Sequence, residues 1–309
     1  MTEFDSPIAL FVHKRPEHAR KTLEAISRNE GAGRSKLFIF SDGLPDDASE
    51  GEKKALFKVR QLIRERHWCG KIEIIESVVN KGLAQSICDG INLVLEKYER
   101  VIVLEDDLET STGFLKYMNN ALDMYQNENR VFQISGFMVK NRSWVSQTGF
   151  LRVSTSWGWA TWRRAWKFYR TDARNLLREV DLRGRVEFDL DGYSFHYDEL
   201  KRNVTGELNT WAVLWYASIF LNNGMCLYPR RTLVRNMGFD GTGTHCHKSK
   251  SNYFHKMPIV EQISVELGSI KENKQYLQAM QRHYRRLYQE WTGTRYRDRV
   301  LNKIHKIYL

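Results

Sequence analysis

The 309-residue sequence has no apolar run long enough to cross a membrane. Its longest such stretch, WAVLWYASIFL at residues 211–221, is about half of what a transmembrane helix requires. The first residues, MTEFDSPIALFVHKRPEH, have neither the basic start nor the long apolar segment of a secretory signal peptide. These two absences argue against a membrane-spanning or secreted protein, and we expect a soluble, cytoplasmic one.

Cysteine is also scarce, with four residues and no CxxC pair. This spacing argues against a zinc module or a disulfide framework and favours reduced thiols. The sequence has no internal repeat and no low-complexity tract. With 42% apolar and 12% aromatic residues it has the composition of an ordinary globular protein. Its length suits one large α/β domain, or a domain with an appendage.

Basic residues outnumber acidic ones, and the formal net charge is +11. The excess is concentrated at the end, because residues 281–309 contain eight Arg or Lys against two acidic residues. Such an excess indicates an anionic partner: nucleic acid, a phosphorylated substrate or an anionic membrane.

The first 130 residues alternate between strand-like and helix-like segments. The predicted strands are PIALFVH, KLFIFSD, KIEIIES and VIVLED, and each is followed by a segment with helical periodicity. Strands that alternate with helices predict a mainly parallel sheet covered on both faces. After residue 130 we expect two further strands (RVFQISGFMV and GFLRVS), an apolar helix over residues 209–222, a Gly-rich loop at 238–243 and a basic helical end.

The segment VIVLEDDLET sets Glu105, Asp106 and Asp107 directly after four aliphatic residues. Two carboxylates about 4 Å apart repel by roughly 4 kcal/mol at an effective dielectric near 20. In extended backbone, Glu105 and Asp107 project to one side and Asp106 to the other. Mg²⁺ or Mn²⁺ would relieve the repulsion, since both ions take carboxylate oxygens together with substrate phosphates. An exposed acidic turn before the next helix explains the same triplet.

Six segments, in order, resemble nucleotide-sugar glycosyltransferases of the GT-A fold, particularly N-acetylglucosaminyltransferase I and related bacterial surface-polysaccharide transferases. They are FVHKRPEHARKTLEAI, FIFSDG, NKGLAQSICDGI, VIVLEDDLETSTGFLKYM and a pair of later stretches, SWGWATWRRAW and LVRNMGFDGTGTHC. The resemblance covers about residues 7–250. It implies a metal-dependent, inverting enzyme that uses Mn²⁺ or Mg²⁺ and a nucleotide-sugar donor, with a UDP-sugar expected. The acceptor would be a glycan or a lipid-linked sugar.

The resemblance also implies roles for individual residues. Asp107 would bind the metal, with His245 as a further candidate ligand. The donor-binding residues would be His13, Arg15, Asp42, Lys81, Glu105, Asp106, Arg235, Trp157 and Trp159. The expected catalytic base has no matching Asp, because GELNTW places Asn209 and Thr210 before Trp211. Glu207 and then Asp240 are the substitutes.

The predicted organisation is a GT-A domain over residues 1–255 and a helical basic extension over 256–309. Within the domain, residues 1–130 would form the nucleotide-binding half and residues 131–255 the acceptor half. The tail YRDRVLNKIHKIYL can form a basic amphipathic helix that lies on an anionic membrane, at the inner face of the cell membrane, or that packs on its own domain.

Two other functions compete with a glycosyltransferase. A sugar-phosphate nucleotidyltransferase would have a Gly-rich loop after the first strand, but HKRPEH contains no glycine. A nucleic-acid-binding protein would spread its basic residues over one face. Because the charge is concentrated in the tail and an acidic triplet follows a central strand, we expect no nucleic-acid partner.

Overall fold

A computed structural model describes residues 5–140, 148–240 and 257–292, with side chains described up to residue 287. In these ranges, eight strands form one mixed sheet in the order β3-β2-β1-β4-β8-β6-β9-β7, and two short strands, β5 and β10, form a separate ribbon. The strands are β1 Ile8–Val12, β2 Lys36–Ser41, β3 Lys71–Glu76, β4 Arg100–Glu105, β5 Leu108–Thr110, β6 Val131–Ser135, β7 Thr148–Leu151, β8 Trp159–Trp162, β9 Met225–Pro229 and β10 Val234–Asn236. The predicted mixed α/β class is confirmed.

The helices pack on both faces of the sheet. They are α1 Pro16–Ser27, α2 Glu50–Leu62, α3 Leu83–Lys97, α4 Phe114–Met124, α5 Arg163–Trp166, α6 Ala173–Arg183, α7 Arg185–Phe188, α8 His196–Thr205, α9 Trp211–Leu221 and α10 Lys274–Thr292, with a 3₁₀ turn at Ala32–Arg34. Strand β1 shows why both faces are needed. Its side chains alternate between a cluster with α3 and a cluster with α1 and α2, so all five residues are buried.

The first four sheet strands are parallel neighbours, as their sequence pattern predicts. Local signals set the connecting helices. Pro16 occupies the first turn of α1, where a missing N–H is tolerated. Ser49 and Glu52 form a capping box at the start of α2, because each side chain accepts a hydrogen bond from the other residue's backbone N–H.

The second half of the sheet contains a strand that the sequence analysis did not predict. Residues Trp159–Trp162 form β8, which pairs antiparallel with both β4 and β6. Helix α5 starts directly after it, at Arg163. All four residues of β8 are buried. A strand buried on both faces has no alternation of polar and apolar residues, so its short sequence resembles a core helix.

The apolar segment at residues 211–221 forms α9, a helix inside the protein. Nine of its residues are buried, and the Trp211 ring stacks on Trp159 at a centroid distance of 5.1 Å. The indole N–H of Trp215 donates to the Gln133 side chain at 2.9 Å. Across the described residues, no helix is both long and apolar enough to span a bilayer.

The segment from residue 257 to the middle of α10 packs against the rest of the molecule. Tyr276, Ala279 and Met280 are buried, and the Asn273 backbone N–H donates to the Phe150 carbonyl at 2.8 Å. Residues 257–287 therefore share the hydrophobic core. The predicted membrane-facing helix at residues 296–307 lies outside the described residues, so it stays a prediction.

A buried polar network joins α8 to α10. The Ser194 hydroxyl lies 2.7 Å from Nδ1 of His196, whose Nε2 lies 3.2 Å from the Tyr284 hydroxyl. Burial lowers the pKa of His196 to about 3, which keeps the ring neutral. On the same helix, burial and then the Asp189 charge raise the pKa of Glu199 to about 7. Ionisation of the Glu199 carboxylate therefore lowers the free energy of unfolding.

Replacing Glu199 with Gln should stabilise the protein at alkaline pH. Because the folded pKa of about 7 exceeds the ordinary value of 4.5, the folded state retains a proton that the unfolded state loses. The wild-type free energy of unfolding should therefore fall between about pH 4.5 and 7, relative to that of Glu199→Gln. At pH 8 the variant should be more stable by on the order of 2 kcal/mol.

Urea unfolding at pH 5, 6, 7 and 8 measures this difference. Asp198→Asn is the matched control, since Asp198 is an exposed carboxylate in the same helical turn. A constant difference between wild type and Glu199→Gln across this pH range would contradict the prediction.

Candidate functional site

Three strands end at the same edge of the sheet, where their polar residues meet. β1 lies between β2 and β4, and its register pairs Val12 with Ser41 and Phe11 with Glu105. The segments 13–15, 42–43 and 105–107 therefore leave the sheet side by side. In open parallel sheets, ligands bind in the crevice outside these carboxyl ends.

The acidic triplet surrounds Arg15, the residue before α1. Nη2 of Arg15 forms ion pairs with both Asp106 and Asp107, the second at 3.0 Å. The prediction that Asp106 points away from Asp107 was wrong. β4 ends at Glu105 and the chain turns at residues 106–107, so the strand alternation does not extend to these two side chains.

Backbone hydrogen bonds hold the acidic turn on three sides. The Asp106 carboxylate accepts from the His13 backbone N–H at 3.3 Å, and its carbonyl accepts from the buried Thr22 hydroxyl at 2.8 Å. The Asp107 carbonyl accepts from the Met237 N–H at 2.8 Å. Segments from the start and the end of the domain thus fix both carboxylates.

Arg15 does not fully compensate the negative charge of this cluster. Burial raises the pKa of Glu105 to about 8, and the charges of Asp107 and Asp106 add to that effect. Burial and the Asp106 charge also raise the pKa of Asp107. Burial acts to lower the pKa of Arg15, but the two aspartates outweigh it and raise that pKa. The cluster can therefore accept further positive charge.

The segment after β10 covers the cluster at very short range. A Cβ at Gly238 would lie 2.2 Å from Oδ2 of Asp107 and 3.2 Å from Nη1 of Arg15. Nη1 is buried and has no hydrogen-bond partner among the described residues. Two residues further on, Asp240 pairs with Nε2 of His18 at 3.2 Å. Glycine fits over Asp107 at this position because it has no Cβ.

Asp42 orders the loop between β3 and α3. Its carboxylate accepts hydrogen bonds from the backbone N–H groups of Gly43, Lys81 and Gly82 at 2.9, 3.0 and 2.9 Å. In the same loop, Val78 is 93% exposed. This side of the molecule therefore carries both an apolar group, the exposed Val78 side chain, and a polar group, the Asp42 carboxylate.

Two other predicted donor contacts adjoin this region. The His13 ring lies 3.0 Å, through Nε2, from the Gly43 carbonyl. The side chain of Lys81 pairs with Asp89 at 2.7 Å and is exposed. One edge of the sheet therefore carries the acidic triplet together with four other predicted donor-binding residues: His13, Arg15, Asp42 and Lys81.

The two tryptophans predicted to bind the donor differ in exposure. Trp157 is half-buried, with its ring edge-on to Phe137 at 4.4 Å and to Phe239 at 5.6 Å. Trp159 is completely buried against Trp211. Its assignment as a donor contact is therefore corrected: it is a core residue, because β8 is buried between β4 and β6.

Two further predicted site residues, Arg235 and Glu207, pair with residues outside the acidic triplet. Arg235 pairs with Glu109 at 2.6 Å across the β5–β10 ribbon. Glu207 is exposed in the loop between α8 and α9, where it accepts from the Thr205 hydroxyl at 3.0 Å and pairs with Arg202 at 3.6 Å. Asp240, the second candidate base, lies two residues after Gly238, which covers Asp107.

Within the described residues, no group of three His, Cys, Asp or Glu side chains is arranged to hold a metal ion. Glu105 and Asp107 do offer hard oxygen ligands, and a bound cation would stabilise the ionised forms that burial disfavours. This suits Mg²⁺ or Mn²⁺ if the substrate and water supply the remaining ligands. The residues present fit a shared metal site of this kind. His245, the other predicted ligand, lies outside the described residues.

Sequence reasoning missed Thr22 and His18 as parts of the site, whereas Gly238 begins the predicted Gly-rich loop at 238–243. His18 had a detectable signal, since it lies one helical turn after Arg15 and faces the same side of α1. Thr22 had none, because its contact joins segments 84 residues apart.

No family model matches the sequence, and neither does any curated protein. Solved structures overlap with the fold at low similarity. One is a mannosyltransferase from Pyrobaculum calidifontis in complex with GDP-Man and Mn²⁺ (TM-score 0.40, 11% identity, 71% of this chain and 70% of that one). Another is residues 1–349 of TarS from S. aureus (TM-score 0.41, 12% identity, 74% of this chain and 59% of that one). A third is a UDP-glucose pyrophosphorylase complexed with UDP-glucose (TM-score 0.37, 10% identity, 74% of this chain and 90% of that one). Overlap at this level does not assign the chain to a family.

Replacing Gly238 with Ala should destabilise the protein, because the new methyl group would push Asp107 away from Arg15. Overpacking of this kind costs about 1–3 kcal/mol. Gly268→Ala is the control, since no atom lies within 4 Å of its added Cβ. Chemical denaturation of both variants measures the difference. Equal stabilities for the two variants would show that the segment over Asp107 is not closely packed.

Proposed function

We propose that the protein is a metal-dependent glycosyltransferase that moves a sugar from a nucleotide-sugar donor, expected to be a UDP-sugar, to a glycan or lipid-linked acceptor. The observation that carries the proposal is the buried acidic turn at the carboxyl edge of the sheet, bridged by one arginine and still short of positive charge. A diphosphate and a divalent cation together would complete that charge balance. The fit to the GT-A pattern in the sequence supports the same function.

In this proposal each part of the edge has its own role. Asp107 and Glu105 would hold Mn²⁺ or Mg²⁺, and Asp106 would accept hydrogen bonds from donor hydroxyls. When bound, the metal would supply Lewis-acid stabilisation of the departing nucleoside diphosphate. Arg15 would bind phosphate oxygens, since a guanidinium recognises them through paired hydrogen bonds.

The nucleoside would occupy the crevice beside Asp42. The carboxylate of Asp42 holds the loop with the exposed Val78, so the loop would present an apolar surface to the base. His13 and Lys81 border this position. Of the two predicted tryptophans, half-buried Trp157 is a better candidate for a sugar contact than buried Trp159, because aromatic faces stack on the apolar faces of sugars.

The acceptor would lose its proton to a carboxylate as it attacks the anomeric carbon in line, which inverts the configuration. We assign this role to Asp240 ahead of Glu207. Asp240 follows the segment that covers Asp107, and it pairs with His18 on α1. Glu207 is exposed like Asp240, but it engages Thr205 and Arg202, which lie close to it in sequence.

A lipid-linked acceptor would place the enzyme at a membrane surface. The basic tail at residues 293–309, together with the net charge of +11, supports peripheral contact with an anionic inner membrane face. Such contact would leave the protein cytoplasmic.

Replacing Asp107 with Asn should abolish Mn²⁺-dependent donor binding, because the neutral amide is a poor ligand for a hard cation. Calorimetric titration with UDP, GDP and dTDP, and with UDP-sugars, each with and without Mn²⁺, measures binding. Donor hydrolysis should also require Mn²⁺. Asp123→Asn is the control, since Asp123 is an exposed partner of Arg100 on α4.

The glycosyltransferase proposal is abandoned if no nucleotide binds more tightly with Mn²⁺ and Asp107→Asn changes nothing. Incubation with a nucleoside triphosphate and a sugar phosphate tests the nucleotidyltransferase alternative directly, since only that enzyme would release pyrophosphate.

Replacing Asp240 with Asn should lower kcat by about 10²–10⁴, as expected for loss of a general base, with little change in nucleotide affinity. Glu207→Gln should leave kcat near the wild-type value. Rates of metal-dependent donor turnover for the two variants measure this. The reverse pattern would transfer the role of base to Glu207.

A further inference from the structure

We propose that Arg15 is an internal counter-cation, which holds Asp106 and Asp107 together in the absence of donor and moves to the donor's diphosphate when the metal binds. The inference rests on the proposed function and deepens it. It makes metal binding depend on the donor, so that the metal ion alone should bind weakly.

The first support is the position of the guanidinium. One atom, Nη2, contacts both Asp106 and Asp107, while Nη1 points into the protein without a hydrogen-bond partner among the described residues. A guanidinium placed to recognise a carboxylate uses two nitrogens in parallel. Arg15 instead uses one nitrogen for two carboxylates, and it retains unused donor capacity.

The second support is the lack of room for two cations. Oδ2 of Asp107 has Nη2 of Arg15 at 3.0 Å on one side and Gly238 on another. A divalent cation bound to that oxygen would lie about 2.0–2.6 Å from it. The ion and the guanidinium would then be a few ångströms apart, where like charges repel strongly. One of the two has to leave.

The third support is that the Arg15 side chain can move while its backbone stays in place. The Arg15 carbonyl accepts the Ala19 N–H at 2.9 Å, and Pro16 fixes the next turn. The side chain makes no capping hydrogen bond to α1. Among the described residues its side-chain polar partners are Asp106 and Asp107, so a rotamer change that breaks these two contacts would release it.

Charge balance then predicts how the binding of the metal depends on the binding of the nucleotide. Without ligand, removing Arg15 would leave two buried carboxylates unpaired, which is strongly unfavourable. A metal ion alone must displace Arg15 and leave it without a partner. A metal ion with a diphosphate gives Arg15 a new anion. Metal and nucleotide should therefore bind cooperatively, with Arg15 as the coupling residue.

The test is the affinity of the protein for Mn²⁺ alone, measured from the electron paramagnetic resonance signal of free Mn²⁺. Arg15→Gln should bind Mn²⁺ at least about tenfold more tightly than wild type without nucleotide, because the competing cation is gone. Arg15→Lys keeps the charge, so its affinity should stay near that of wild type. Arg20→Gln is the matched control, since Arg20 forms an exposed pair with Glu65 on the other side of α1.

Thermal unfolding provides a second readout if Arg15→Gln folds poorly. Its Tm should be lower than that of wild type and should recover on addition of Mn²⁺, whereas Mn²⁺ alone should hardly change the wild-type Tm. The double variant Arg15→Gln with Asp107→Asn should show no recovery.

The inference is overturned if Arg15→Gln binds Mn²⁺ no more tightly than wild type, or if the double variant binds it equally well. A failure of the proposed function appears differently. In that case the wild-type protein gains no nucleotide affinity from Mn²⁺, whatever the behaviour of Arg15→Gln.

Discussion

The site depends on the ion pairs between Arg15 and two consecutive aspartates. Without a cation between them, these two carboxylates, each less than a tenth exposed, would repel each other without compensation. Arg15 reaches them because β1 lies directly beside β4 in the sheet. Parallel pairing of two strands about 90 residues apart in sequence thus brings the arginine to the acidic turn.

Strand pairing alone does not complete the site. The β5–β10 ribbon returns the chain to the acidic turn, where Met237 binds the Asp107 carbonyl and Gly238 covers the carboxylate. On the other side, Asp42 holds the loop between β3 and α3 through the backbone N–H groups of Lys81 and Gly82. Hydrogen bonds from backbone N–H groups therefore hold both sides of the crevice.

Much of this could be predicted from the sequence, and the failures have physical causes. The strand–helix alternation predicted the parallel half of the sheet, and the ends of those strands predicted that Arg15, Asp42 and the acidic triplet lie together. Asp106 was misplaced because a turn, unlike a strand, has no fixed alternation. Trp159 was misplaced because no local pattern shows that β8 lies between β4 and β6, where the side chain is buried. The polar network around His196 joins distant segments, and no local pattern indicates such contacts.

The backbone bond from Met237 to Asp107 also bears on how the protein folds. The acidic turn acquires its final shape only when a segment 130 residues later has been synthesised and docked. Closing so long a loop is slow relative to forming local structure. A nascent chain that has completed β1–β4 and the acidic turn would thus contain every donor-binding residue predicted in residues 1–130. Its Asp107 carbonyl would still lack the hydrogen bond from the Met237 N–H. Completion of the acidic turn is in this sense a property of late folding, since it requires the segment after β10.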